Sequence, residues 1–307
     1  MEHRVHQENR RVSWSHRLEY SGFRLARFVC RILPLWAARA LGSATGWFLF
    51  GVVRARRAVA LDNLAYAFPD MPERERAALG YAAFRQVARS GAEFLRLSRR
   101  PGSRPEGCVR FVGMEHVRAG LGRGKGVILA SAHFGCWELG AAHFARTVAP
   151  LHVVALEQKN MLVDEFVRKM REGGGVQTIP RGSALRGILS ALRKGDAVAI
   201  LIDQNARHKG VPVEFFGRPV STYTGPARIA ARTGAPLVPG FDVRYPDGSH
   251  TVYFEEPIYV ESAAEQHLLQ TLRRLNSILE SYVRRYPDHW LWGHRRWRVK
   301  PEWFVKT

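Results

Sequence analysis

Cysteine is scarce in this chain. Its 307 residues hold three, Cys30, Cys108 and Cys136, an odd number without Cys-x2-Cys spacing, which excludes a disulfide framework and a zinc knuckle. Acidic residues are also few: 27 against 47 Lys and Arg leave a formal charge of +20. Such a field attracts polyanions: nucleic acid, anionic lipid headgroups, phosphorylated sugars or acidic carrier proteins. No helix-turn-helix, finger or aromatic-bearing sheet motif accompanies the charge, so nucleic acid is not expected as a partner. A Gly-x-Ser-x-Gly elbow is missing around Ser131, which argues against that class of hydrolase. His133, Glu138 and His143 lack the His-Glu-x2-His spacing, and no metal or cofactor is expected. Gly122-Arg-Gly-Lys-Gly126 precedes a strand where a P-loop would open a helix, so it reads as a tight turn. Internal repeats and low-complexity segments are absent.

A clean membrane span is missing too. Ile32 to Val53 has one charge, Arg39, in 22 residues, enough at about 1.5 Å per residue to cross a hydrocarbon core of about 30 Å. Pro34, Gly42, Gly46 and Gly51 interrupt it, and arginines flank both ends, so the positive-inside rule assigns no orientation. The segment starts late and lacks a small-x-small cleavage site, unlike a signal peptide. An interfacial hairpin or partly inserted anchor is expected here.

What is present is alternation. Short apolar runs near Val109 to Val112, Val127 to Ser131, His152 to Leu156, Val176 to Ile179, Val198 to Ile202, Leu237 to Phe241 and Thr251 to Phe254 predict strands. Helical periodicity near Gly135 to Val148, Met161 to Glu172, Ser183 to Arg193, Thr224 to Arg232 and Ala263 to Arg285 predicts the helices between them. The pattern is that of an α/β fold, a mostly parallel sheet flanked by helices. Before it, the first dozen residues are polar and loose, Pro72 to Arg99 predicts an amphipathic helix, and Arg99 to Gly107 reads as linker. The expected organisation is a helical amino-terminal arm over residues 1–100, with its apolar anchor at about 32–53, and an α/β domain over residues 108–307.

The stretch Val127-Ile-Leu-Ala-Ser131-Ala-His133-Phe-Gly135-Cys136-Trp-Glu138-Leu-Gly140 carries the most chemistry. His133 falls at a strand's carboxyl end, where open α/β sheets bind ligands. Five residues turn an ideal helix by about 500°, so His133 and Glu138 can meet only across a turn, for which Gly135 supplies the freedom. Glu138 then sits in the first turn of a helix, where the dipole favours a carboxylate. Holding one imidazole nitrogen, it would leave the other to act as a general base. A solvent-exposed polar turn produces the same spacing. Cys136 as a thiol nucleophile is the weaker alternative, since a small cysteine at a helix start is usually packing.

Further blocks accompany this one: Asp62-Asn63-Leu64 with Phe68-Pro69; Asn160-x3-Asp164 with Arg171-x-Gly173; Ala197 to Asp203-Gln204; Phe215-Phe216-Gly217; Gly225 to Pro239; and Trp290-Leu-Trp-x-His294-Arg295-Arg296-Trp297 with Pro301. In order and spacing the segment from about Asp62 to Pro301 resembles the bacterial lipid A biosynthesis acyltransferases, the late lauroyl and myristoyl transferases of the lysophospholipid acyltransferase superfamily. The resemblance implies a glycerolphosphate-acyltransferase-like fold and transfer of a fatty acyl group from acyl carrier protein or acyl-coenzyme A to a hydroxyl of an anionic glycolipid. His133 would be the base, and Glu138 would orient and charge it. Arg171 would offer a forked donor set to a phosphate or oxyanion, and Asp203 with Gln204 would complete the site. Read without the resemblance, Asp203 is equally a cap and Arg171 a solvated helix end.

Three positions depart from the family pattern: Cys136 stands where asparagine is often found, Met161 replaces a common proline, and Glu157 lies in a neighbourhood usually basic or neutral. The resemblance places the enzyme at the cytoplasmic face of the bacterial inner membrane. A Trp/Arg mixture such as Trp290 to Lys300 suits a membrane interface, and equally a tail packing its tryptophans onto the domain. Acceptors such as a phosphatidylinositol mannoside or an amino lipid remain open, as does a non-catalytic basic protein that binds anionic lipid or nucleic acid.

Overall fold

A computed structural model describes residues 12–97, 109–155 and 158–303. The predicted linker at Arg99 to Gly107, nearly all of the loose first dozen residues, Cys108 and Glu157 lie outside them.

Four helices come first: α1 (Trp14–Ile32), α2 (Leu35–Gly51), α3 (Arg57–Ala67) and α4 (Glu73–Arg96). The expected apolar segment is therefore broken at Pro34, and no described helix is long and apolar enough to cross a membrane. The glycines that weaken α2 as a span make it a packing surface. Ala38, Gly42, Gly46 and Phe50 are buried against α4, and a Cβ at Gly42 would lie 2.8 Å from the Ala88 carbonyl oxygen. Small residues four apart allow this close helix approach.

The α/β part follows in chain order: β1 (Val109–Val112), α5 (Met114–Gly122), β2 (Val127–Ser131), α6 (Trp137–Thr147), β3 (Leu151–Ala155), α7 (Met161–Gly173), β4 (Gln177–Pro180), α8 (Ala184–Arg193), β5 (Ala197–Leu201), β6 (Val211–Phe215), β7 (Arg218–Thr222), α9 (Gly225–Thr233), β8 (Leu237–Arg244), β9 (His250–Phe254) and α10 (Glu265–Arg285). Seven strands form one sheet in the order β1-β9-β8-β2-β5-β3-β4. Among the described strands of this sheet only β8 and β9 pair antiparallel, through the turn that joins them. The predicted α/β class is the observed one. Strand β2 lies between β5 and β8, and four of its five residues are buried, as befits a strand covered on both faces.

In the α/β part three elements went unpredicted, strands β6 and β7 and helix α5. The β6–β7 hairpin carries Pro212 and Pro219, which demote a strand by pattern; its turn is Phe216-Gly217, with φ of 54° and 69°, as a mirror-image two-residue loop requires. Helix α5 is short and contains Gly120 and Gly122. Strand β8 also runs three residues past Phe241, because Asp242 and Arg244 are buried in ion pairs. Arg244 donates to Glu93 of α4 over 2.5 Å, and His250 bridges Glu93 and Asp242 at 3.4 and 3.0 Å. This buried cluster ties α4 to the sheet.

Candidate active site

Strands β2 and β5 are parallel neighbours in register, Ser131 beside Leu201. Two residues beyond each end stand His133 and Asp203, so parallel pairing alone brings them together at the carboxyl ends of these two central strands. His133 Nδ1 lies 2.9 Å from Asp203 Oδ1, and the His133 main-chain N–H donates to Asp203 Oδ2 at 3.0 Å. The Trp290 indole N–H donates to the same Oδ2 at 3.0 Å. Asp203 thus receives three hydrogen bonds, two of them from His133. With Nδ1–H committed to the carboxylate, Nε2 is the acceptor nitrogen, 3.4 Å from the Gln204 amide nitrogen. The imidazole edge of the pair is partly open, at 17% exposure against 4% for the carboxylate, so a reactant can reach Nε2 while Asp203 stays dry.

The partner differs from expectation. The carboxylate that orients His133 belongs to Asp203, while Glu138 binds Arg171, whose Nη2 and Nε donate to it at 2.6 and 3.1 Å. Glu138 does occupy the first turn of α6, as predicted. Gly135, at φ +60°, makes the turn before it, where a Cβ would collide with the Asp242 carbonyl. The turn nevertheless leaves Glu138 facing α7, and its influence on His133 is through charge. One edge of the Arg171 fork is already taken, so less of it can meet a substrate than the bare sequence implied.

Electrostatics follow from these partners. Burial alone would lower the His133 pKa; the charge and hydrogen bond of Asp203, and then the charge of Glu138, outweigh it and raise the value above the ordinary 6.5. Asp203 shows the converse: burial would raise its pKa, but His133 and the Trp290 N–H hold it at about 2. Burial lowers the Arg171 pKa, and Glu138 with Asp164 more than restores it. Burial also drives the Cys136 thiol far up. It is a packed thiol, 1% exposed.

Several contributors escaped sequence reasoning. Trp137 sets its ring edge-on to His133 at 5.1 Å. Trp290, Trp292 and Trp297 form a buried aromatic cluster with Phe215, so these tryptophans pack onto the domain and are not at a lipid surface. Arg296 is wholly buried at 0% exposure. Its Nη1 donates to the Gln204 and Ser221 carbonyls at 2.9 and 3.0 Å, fixing the main chain beside Asp203. Burial lowers its pKa to about 10, with Asp203 opposing, so it stays charged at neutral pH. The density of Trp and Arg at the carboxyl end was the available signal, and hydropathy could not say whether it faced lipid or core.

The departures from family pattern have local meaning. Asn160 caps α7, its Oδ1 accepting from Leu162 N at 3.0 Å. Met161 then holds the first helical position, which favours proline because that N–H has no intrahelical acceptor. Cys136 holds the cap position of α6 without a side-chain cap bond, and Asp242 accepts from its N–H at 2.8 Å instead.

Fold and site together define an α/β protein with a hydrogen-bonded histidine–carboxylate pair at the carboxyl ends of the central strands of a mostly parallel sheet. The family described as bacterial lipid A biosynthesis acyltransferase matches residues 19–299, and the chain belongs to it. It is 27% identical over 272 residues, 88% of either chain, to the lipid A biosynthesis lauroyltransferase of Escherichia coli (strain K12). Identity is again 27%, over 263 residues and 85% of either chain, with the palmitoleoyltransferase of lipid A biosynthesis in the same strain. A phosphatidylinositol mannoside acyltransferase of Mycobacterium tuberculosis (strain ATCC 25618 / H37Rv) is 32% identical over 132 residues, 41% of this chain and 42% of that one. The protein is an acyltransferase.

Proposed function

We propose that the protein transfers a fatty acyl group from acyl carrier protein or acyl-coenzyme A to a hydroxyl of a lipid A precursor, with His133 as general base. The observation that carries this is the His133–Asp203 pair with Nε2 left as acceptor. An acceptor hydroxyl hydrogen-bonded to Nε2 loses its proton as its oxygen attacks the thioester carbonyl, and Asp203 steadies the imidazolium. The tetrahedral intermediate collapses, the C–S bond breaks, and the imidazolium returns the proton to the departing thiolate. Gln204 positions the reactants near Nε2. Arg171, held by Glu138, supplies positive charge to the acceptor's phosphate or the developing oxyanion.

The net charge of +20 suits both an acidic carrier and a phosphorylated acceptor. The outer faces of α1 and α2 expose Trp14, Leu18, Leu25, Phe28, Ile32 and Trp36, an apolar patch of the kind that marks membrane interaction. We place these helices in the lipid interface, at the cytoplasmic face of the inner membrane where acyl thioesters are made. The partial match to the mannoside acyltransferase favours a phosphatidylinositol mannoside as the second acceptor to try.

The test is incubation of wild type and His133→Ala with labelled acyl-acyl carrier protein or labelled acyl-coenzyme A and a lipid extract from a host lacking its late acyltransferases, read by mass spectrometry. A glycolipid that gains one acyl mass only with wild type is the expected result. Equal transfer by His133→Ala removes the base assignment. No transfer to any acceptor from either thioester removes the reaction.

A further inference from the structure

Away from His133, helices α1 and α7 enclose an open groove of about 960 Å³. Its lining is divided in character. Tyr20, Phe28, Ile32, Leu162 and Phe166 supply apolar surface, and Arg24, Arg27, Arg31 and Lys169 supply four cations against one carboxylate, Glu165. Glu165 is turned to its own helix, pairing with Arg168 at 2.6 Å and Lys169 at 3.2 Å. The arginines recur at positions 24, 27 and 31, one stripe of α1 at helical spacing.

Arg27 is the least satisfied of them. Its guanidinium lies over the Phe166 ring at 5.7 Å, and its buried Nε has no hydrogen-bond partner among the described residues. Burial, and then the nearby charge of Arg31, push its pKa down. A phosphate oxygen in the groove would satisfy the orphan N–H and relieve the crowding. Phe28 and Ile32 belong both to this lining and to the exposed apolar face of α1 and α2. A ligand here therefore has its charged end among arginines and its apolar end continuous with that face.

We propose that the α1–α7 groove holds the phosphate headgroup of an anionic phospholipid of the membrane, with an acyl chain along Phe28 and Ile32, docking the enzyme at the bilayer. The proposal rests on the assignment of α1 and α2 to the lipid interface and is independent of which acceptor is acylated. Because α7 also carries Arg171, the bound headgroup fixes the helix whose arginine pairs with Glu138 of α6.

Cosedimentation of the full chain with vesicles of phosphatidylcholine alone, and of phosphatidylcholine with phosphatidylglycerol at three to one, separates the possibilities. At roughly fivefold per basic residue near an anionic surface, the triple variant Arg24→Gln/Arg31→Gln/Lys169→Gln should lose on the order of 100-fold of the binding gained from phosphatidylglycerol. Its binding to neutral vesicles should persist. A triple variant of equal charge change on exposed residues of α8, α9 and the turn after α8, Arg193→Gln/Lys194→Gln/Arg232→Gln, should keep most of the gain. Equal losses in both triples mean diffuse attraction and overturn the site, as does an unchanged gain in the first. Failure of wild type to bind neutral vesicles instead removes the interface assignment of α1 and α2. Soluble dihexanoyl phosphatidylglycerol should further bind wild type with one-to-one saturation and bind Arg27→Gln at least tenfold more weakly; non-saturating or equal binding overturns the proposal.

Discussion

Replacing Asp203 with asparagine preserves side-chain shape while removing the charge that governs His133. In the wild type, Oδ2 accepts two N–H groups, from the His133 main chain and Trp290, and Oδ1 accepts one, from His133 Nδ1. An asparagine keeps the larger number of bonds by placing its oxygen at the Oδ2 position, which puts its NH2 opposite Nδ1. Two donors cannot face each other, so Nδ1 becomes the acceptor and the proton moves to Nε2. The proposed base is then held in the unproductive tautomer. The same exchange in the histidine–aspartate pair of a serine protease lowers kcat about 10⁴-fold, or roughly 5 kcal/mol of barrier. The pH dependence moves as well. A base must be neutral, so wild-type kcat/KM rises through a pKa above 6.5; without Asp203 the downward push of burial has less opposition, and the limb of Asp203→Asn shifts to lower pH. Acyl transfer followed by mass spectrometry across pH 5 to 9 measures both, with KM little changed. A loss smaller than about tenfold, or a limb that stays in place, refutes the orienting role of Asp203.

Other perturbations have equally definite outcomes. Glu138→Ala leaves the Arg171 guanidinium mostly buried and unpaired; urea denaturation of both singles and the double variant should give a coupling of about 1–3 kcal/mol, and zero coupling would deny the pair a structural role. Gly135→Ala puts a Cβ against the Asp242 carbonyl at a positive φ, so stability should fall by at least about 1–3 kcal/mol with loss of activity, measured by thermal melts and turnover. For His250, burial lowers the pKa, but Asp242 and Glu93 raise it to about 9. Its contribution is fully present below pH 6.5 and is lost as pH rises through 9, about 3 kcal/mol in all, so denaturant stability should decline across that window and a His250→Gln protein should show a flatter profile. Trp290→Phe removes one hydrogen bond to a buried carboxylate, a loss of about 1.5–3 kcal/mol, and should raise the Asp203 pKa, visible as an acid shift of the unfolding curve toward higher pH.

Much of the architecture was legible in the chain. Strand β2 and its end at Ser131, the turn at Gly135, and helix α6 follow from local rules: an apolar run, a glycine free to take positive φ, and an alanine-rich amphipathic stretch. Helix α7 shows its cap in Asn160 and its end in Gly173-Gly174. His133, Glu138, Arg171, Asp203 and Gln204 could be named from the same stretches and their resemblance to a family. Local pattern could also mark Ile32 to Val53 as apolar and interrupted. The short hairpin β6–β7 and helix α5 lay below that resolution, since two prolines in one and two glycines in the other erase the periodicity.

Which of those residues touch was a matter of tertiary structure alone. The sequence places Glu138 five positions from His133 and Asp203 seventy away, yet parallel pairing of β2 with β5 hands the imidazole to the distant carboxylate and leaves the near one to Arg171. Burial of the carboxyl-terminal tryptophans and Arg296, and the approach of α2 to α4, depend likewise on surfaces that exist only after the chain has closed. Sequence determined the elements, the residue types at their ends and the charge of the whole, because those depend on neighbours along the chain. Pairing, burial and protonation depend on neighbours in space, and only the fold decides them.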